Sequence, residues 1–197
     1  MSLESNVRTR AVTDPVALRA LAHPVRLQLY ALVGREGTLT AADAAKQLDI
    51  SHALASHHLR QLAKYGYLEP AEASDSRARP WRVTATSMEF PQVDPGARAP
   101  TDVIQRHAAE QAVDELVDWQ ERRTPSDTAL ADLAGAGNSL LYLSPAELAE
   151  VLAAWHDVLM TWALRRPLGH AEDRPAGAVP ISLTLVVAPL RPTPHGG

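Results

Sequence analysis

Between Asp14 and Gly66 the chain is cut into short pieces, and the positions of the cuts constrain the fold more than any other feature. His23-Pro24, the segment Gly34 to Gly37, Asp49-Ile50 and Gly66 each interrupt an apolar, alanine- and leucine-rich run. Proline lacks an N–H and clashes with the preceding turn, so Pro24 cannot sit inside a helix but can begin one. Glycine takes the left-handed conformation that ends helices. A segment punctuated in this way can become several short helices packed at angles, but not a long coiled coil or a run of strands.

The pieces are individually legible. Pro15 can occupy the first position of a helix that reaches Ala22, after which Pro24 opens a second that runs to Val33 with Val25, Leu29 and Leu32 on one face. Thr40 is placed as an N-cap for a third helix, Ala41 to Leu48, with Asp43 three residues on as a weak capping box. Ser51 caps a fourth, His52 to Tyr65, in which Ala55, Leu59 and Leu62 recur at helical spacing and are expected to face inward. Two extended runs follow, Tyr67 to Ala71 and Pro80 to Thr84, and are expected to form a hairpin. Pro80 confines the second run to a sheet edge or to a start just beyond it.

Residues 87–100 contain Pro91, Pro95 and Pro100 without periodicity, which is the composition of a linker. Beyond it, a helix from Thr101 to Arg122 carries Ile104, Ala108, Ala112, Leu116 and Trp119 as an apolar stripe. A weak helix is expected near Asp127 to Leu133. Pro145 to Arg165 then gives the strongest helical period, with Leu148, Val151, Leu152, Trp155, Leu159 and Trp162 on one side. A short apolar run at Ser139 to Leu143 and alternation at Val179 to Val187 predict two strands around it, possible halves of a parallel crossover. The expected class is mainly α with a small β part: a domain of short helices and a hairpin over 11–86, the linker over 87–100, and a helical region with a small sheet over 101–197.

Three short helices and a hairpin, with a tight turn before the fourth helix, is the order of a winged helix-turn-helix. Ala20-Leu21-Ala22-His23-Pro24-Val25-Arg26-Leu27, the run Ser51 to Leu62 (SHALASHHLRQL) and Tyr65-Gly66-Tyr67-Leu68-Glu69 together resemble the ArsR/SmtB family of bacterial regulators over roughly residues 11–85. The resemblance implies a homodimeric, sequence-specific DNA-binding transcription regulator, a repressor relieved by an effector. With the leucines inward, the fourth helix turns Ala53, His57, Arg60 and Lys64 outward, flanked by His52 and Ser56, and Ser51 leaves free N–H groups at its start. Small and hydrogen-bonding side chains there can approach base edges in a major groove, with Arg60 and Lys64 nearer phosphates. Arg77 and Arg79 stand where a wing would carry cations.

Charge is consistent with that division. The whole chain is at −4, but residues 1–84 hold 11 Lys or Arg against 8 Asp or Glu, and the remainder 8 against 15. Trp119, Trp155 and Trp162 are candidates for an effector pocket or a dimer core. The absence of cysteine excludes disulfides, thiolate metal sites and cysteine nucleophiles. His57 and His58 point about 100° apart on a helix, a poor metal pair, and His107, His156 and His170 do not reproduce the family's zinc-sensor pattern. No metal and no cofactor is therefore expected, and no P-loop, glycine fingerprint or nucleophile elbow points to an enzyme. With no signal peptide or membrane span apparent, a cytoplasmic location is expected. Two alternatives stand beside the regulator: a winged helix that binds protein without specific DNA binding, and a His/carboxylate metal-responsive repressor.

Overall fold

The structure is a computed structural model and describes residues 9–72, 79–85, 87–90, 94–125, 127–165 and 175–191. Its helical part begins at Asp14, whose carboxylate accepts from the N–H groups of Val16 (2.9 Å) and Ala17 (3.3 Å) and so caps α1, Pro15–Leu21. α2 is Pro24–Glu36, with Pro24 at its first position and Gly37 ending it at φ 81°. It runs three residues beyond the expected Val33, through Gly34. The packing of Leu29, Leu32 and Val33 outweighs the roughly 1 kcal/mol that glycine costs a helix interior. Thr40 Oγ1 accepts from Asp43 N at 3.2 Å and caps α3, Ala41–Gln47. Asp49, at φ 52°, makes the left-handed turn into α4, His52–Lys64.

The hairpin forms as expected: β2 (Leu68–Pro70) pairs antiparallel with β3 (Trp81–Val83), Leu68 opposite Val83 and Pro70 opposite Trp81. Pro80 precedes β3, where its missing N–H costs no ladder bond. Leu39, in the α2–α3 connection, adds an antiparallel bridge to Trp81 and ties the hairpin to the helices. A second pair was not expected from sequence: β1 (Thr9–Ala11) runs parallel to β4 (Ser87–Glu89), and Val12 N continues it with a 2.9 Å bond to Glu89 O.

The stretch 87–100 is not a linker in its described parts. Ser87–Glu89 is β4, and α5 begins at Pro95, not Thr101, and runs to Arg122. Asp94 caps it through a 2.6 Å bond from Gly96 N, and Pro95 takes the first position. Pro100 lies inside the helix and is buried with Ala97, Thr101 and Ile104. Ala97 and Ile104 join Leu18, Leu21, Leu29, Leu59, Leu62 and Tyr67 in one hydrophobic core. Burial of that face against α1 and α2 offsets what the internal proline removes.

The remaining elements are α6 (Thr128–Ala131) and α7 (Pro145–Arg165). α7 has the bounds expected from its period. The strands expected at 139–143 and 179–187 do not form: both segments lack regular secondary structure, and their side chains are exposed. An apolar run or an apolar edge is not enough, since a strand also needs a partner backbone, and among the described residues neither segment has one. The crossover and the second small sheet are therefore corrected. Among the described residues the architecture is mainly helical with two short strand pairs, both in the N-terminal half. No helix of the described residues is long and apolar enough to cross a membrane.

Candidate nucleic-acid interface

α4 is held from three sides. Ala55, Leu59 and Leu62 are fully buried among α1, α2 and α3, as the apolar spacing requires. Its start is fixed by Ser51, whose Oγ accepts from Leu54 N at 3.2 Å. As at any helix start, the other first-turn N–H groups have no acceptor within the helix. Its end is fixed from far away in sequence. Gly66 turns at φ 72°, and the Arg10 guanidinium donates to Tyr65 O (3.0 Å) and Gly66 O while lying 4.7 Å over the Tyr67 ring. These are carbonyls that a helix end leaves without partners, and a cation there also suits the helix dipole.

Tyr67 locks this arrangement to α1. It is fully buried, its hydroxyl donates to Ala17 O at 2.8 Å, and its ring meets Tyr30 edge-on at 6.1 Å. Burial pushes its hydroxyl up to about 12, so it remains a donor at any physiological pH.

On the outer side, Ser51, His52, Ala53, His57, Arg60 and Lys64 are exposed and Ser56 is half-buried. None of Ser51, His52, Ala53, His57 or Arg60 is covered by the C-terminal half. Lys64 leans over Tyr65, its Nζ 5.6 Å from the ring centre. Leu54, absent from the sequence-derived set, is 40% exposed on the flank beside His57 and Gln61. Its signal was available: it falls outside the Ala55, Leu59, Leu62 stripe. Arg10 had no such signal, because its partners lie 55 and 56 residues away.

The wing is partly described. Arg79 is exposed just before Pro80, whereas Arg77 lies outside the described residues. Arg82 is exposed but bonded to Glu69 at 2.8 Å.

His58, the neighbour of His57, points the other way and is 6% exposed. Its ring lies 4.8 Å from that of His23, the residue that precedes Pro24 at the start of α2. Its ring also meets that of His57 edge-on at 5.2 Å. Among the described residues no three His, Asp or Glu side chains converge on a possible metal position.

The three candidate tryptophans lie on two helices. Trp119 is half-buried on α5 under the Arg122 guanidinium, 5.2 Å from its ring centre. Trp155 is half-buried on α7, and Trp162, 51% exposed, lies 5.0 Å from the Arg165 guanidinium. No residue of α7 is buried.

Residues 21–70, from the end of α1 to the end of β2, match the family model described as a helix-turn-helix domain. No curated protein matches the chain. Among solved structures, the reduced form of HlyU from Vibrio cholerae is similar at 19% identity, over 46% of this chain and 83% of that one, with a TM-score of 0.32. The antimony-specific transcriptional repressor AntR gives 22% identity over 52% and 78%, with a TM-score of 0.34. A possible transcriptional regulator for arsenical resistance gives 25% identity over 61% and 97%, with a TM-score of 0.31. Superpositions this loose do not establish a shared overall fold.

Proposed function

We propose that this helix-turn-helix protein, a DNA-binding transcription regulator of ArsR/SmtB-like type, acts as a homodimeric repressor whose α4 reads an operator in the major groove. One observation carries the proposal. α4 buries Ala55, Leu59 and Leu62 completely while leaving Ser51, His52, Ala53, His57, Arg60 and Lys64 open along one outer side. The free N–H groups at Ser51 suit a phosphate, His52, Ser56 and His57 can hydrogen-bond base edges, and Arg60 and Lys64 suit the flanking backbone. Arg77 and Arg79 in the wing would contact phosphate or a minor groove.

A two-fold dimer follows from need, since one small module covers little DNA and a pair reads two half-sites about 34–36 Å apart. The chain from Thr101 onward supplies the surface: Val103, Val113 and Val117 on α5, and Val151, Leu152, Val158 and Trp162 on α7, are exposed. Effector binding in the same region relieves repression, and the protein works in the cytoplasm, where bacterial operators are.

The test is binding to a labelled duplex of the chain's own upstream region, followed by fluorescence anisotropy at two salt concentrations. Specific binding that weakens steeply with salt is expected, and His57→Ala or Arg60→Ala weakens it without unfolding the protein. Absence of specific binding even at low salt refutes the proposal in favour of a protein-binding winged helix.

A further inference from the structure

The contact between His23 and His58 joins the start of α2 to the middle of α4, and its chemistry is unfavourable to charge. His58 is 94% buried by its 6% exposure, and His23 is half-buried. The rings are 4.8 Å apart at a 37° tilt. The Nδ1 atoms of both are buried and have no hydrogen-bond partner. Once protonated, His58 becomes a donor at both nitrogens, so its buried Nδ1–H would be left without an acceptor.

The charged surroundings act in the same direction. From α2, the Arg26 guanidinium is anchored beside the pair by its bonds to Ala20 O and Arg19 O, so α1 contributes only carbonyls that hold this cation in place. From α4, the exposed His57 ring meets His58 edge-on at 5.2 Å, and Tyr65 acts on the pair only through Arg26. No carboxylate bears on either ring. Burial first, then Arg26, holds His23 below the ordinary histidine value, outweighing a hydrogen bond to its own backbone that acts the other way; burial first, then His23, Arg26 and His57, holds His58 below it.

We propose that the His23–His58 contact is a proton-operated latch: proton uptake by the pair loosens α4 from α2 and lowers DNA affinity in mildly acidic conditions. The DNA consequence rests on the proposed function; the latch itself does not. The sign follows from the lowered values. The packed state is fully favoured above the ordinary histidine value of about 6.5, and the advantage drains away as pH falls below it, because the loosened state takes up protons first. Each ring kept neutral by packing shifts the packed-to-loosened ratio by up to about tenfold per pH unit in that range. His52 and His57 oppose this, since their protonation on the outer side strengthens attraction to phosphate.

The experiment compares the wild type with His58→Leu and His23→Gln, each of which leaves His52 and His57 in place. Urea unfolding of the free protein is followed by circular dichroism between pH 7.5 and 5.5, and affinity for the upstream duplex by anisotropy over the same range. The expected result is a wild-type unfolding midpoint that falls with pH, flatter midpoints in both variants, and a wild-type affinity loss of about tenfold or more relative to the variants. Parallel pH profiles of the midpoint in all three proteins overturn the latch. A midpoint that depends on pH in the wild type alone, with no specific DNA bound at any pH, supports the latch and refutes the DNA-binding proposal instead.

Discussion

Two leucines on α4 separate the inner from the outer side of the helix, and truncating each to alanine gives opposite outcomes. Leu59 is fully buried on α4, which packs against α2 and α3, so Leu59→Ala removes a side chain from the core and leaves a cavity. Such substitutions cost about 2–5 kcal/mol, and about 3 kcal/mol is expected here. Leu54 is already 40% exposed. Leu54→Ala forfeits only part of its transfer free energy and creates no enclosed cavity, a cost of about 1 kcal/mol. With a urea slope of roughly 1.5 kcal/mol per molar for a domain of this size, the unfolding midpoint should fall by about 2 M for Leu59→Ala and by about 0.7 M for Leu54→Ala. The second variant should in turn lose more DNA affinity, at a temperature where both remain folded, because an apolar side chain at the first turn can meet a thymine methyl. Equal midpoint shifts, or a larger shift for Leu54→Ala, would refute the placement of α4.

Arg60→Ala and Lys64→Ala should each reduce the slope of log affinity against log salt by about 0.9, read from anisotropy titrations at four or more salt concentrations; an unchanged slope removes that residue from the phosphate contacts. Tyr67→Phe deletes the buried hydroxyl that donates to Ala17 O and should destabilise the protein by about 1 kcal/mol in the same urea assay, with little change in DNA affinity at a temperature where it is folded.

The N-terminal half was legible because its signals are local. Asp14, Thr40 and Ser51 cap helices by reaching N–H groups two or three residues on, and Pro15, Pro24 and Gly66 act on their own backbone. The outer side of α4 followed from period alone, and the structure leaves that side open. What escaped depends on distant partners. β1 and β4 are three residues each, too short to show alternation, and pair across more than seventy residues. The helical start at Pro95 was hidden by three prolines that look like a linker, although Asp94 is an N-cap followed by Pro at the first position. At 179–187 the difference ran the other way: Val179, Ile181, Leu183, Leu185 and Val187 alternate, yet among the described residues no backbone pairs with them.

Because Ala97 and Ile104 are seated in the same core as the leucines of α4, with Pro100 and Thr101 also buried on α5, α5 leaves the helix-turn-helix with no pliable joint at its root. At 28 residues it is a rod of about 42 Å. If two copies associate along its protruding length, the angle and separation of their two reading heads are set by helix geometry. A single base pair inserted between operator half-sites would then rotate one site away from its reader, and the protein would have no slack with which to follow it.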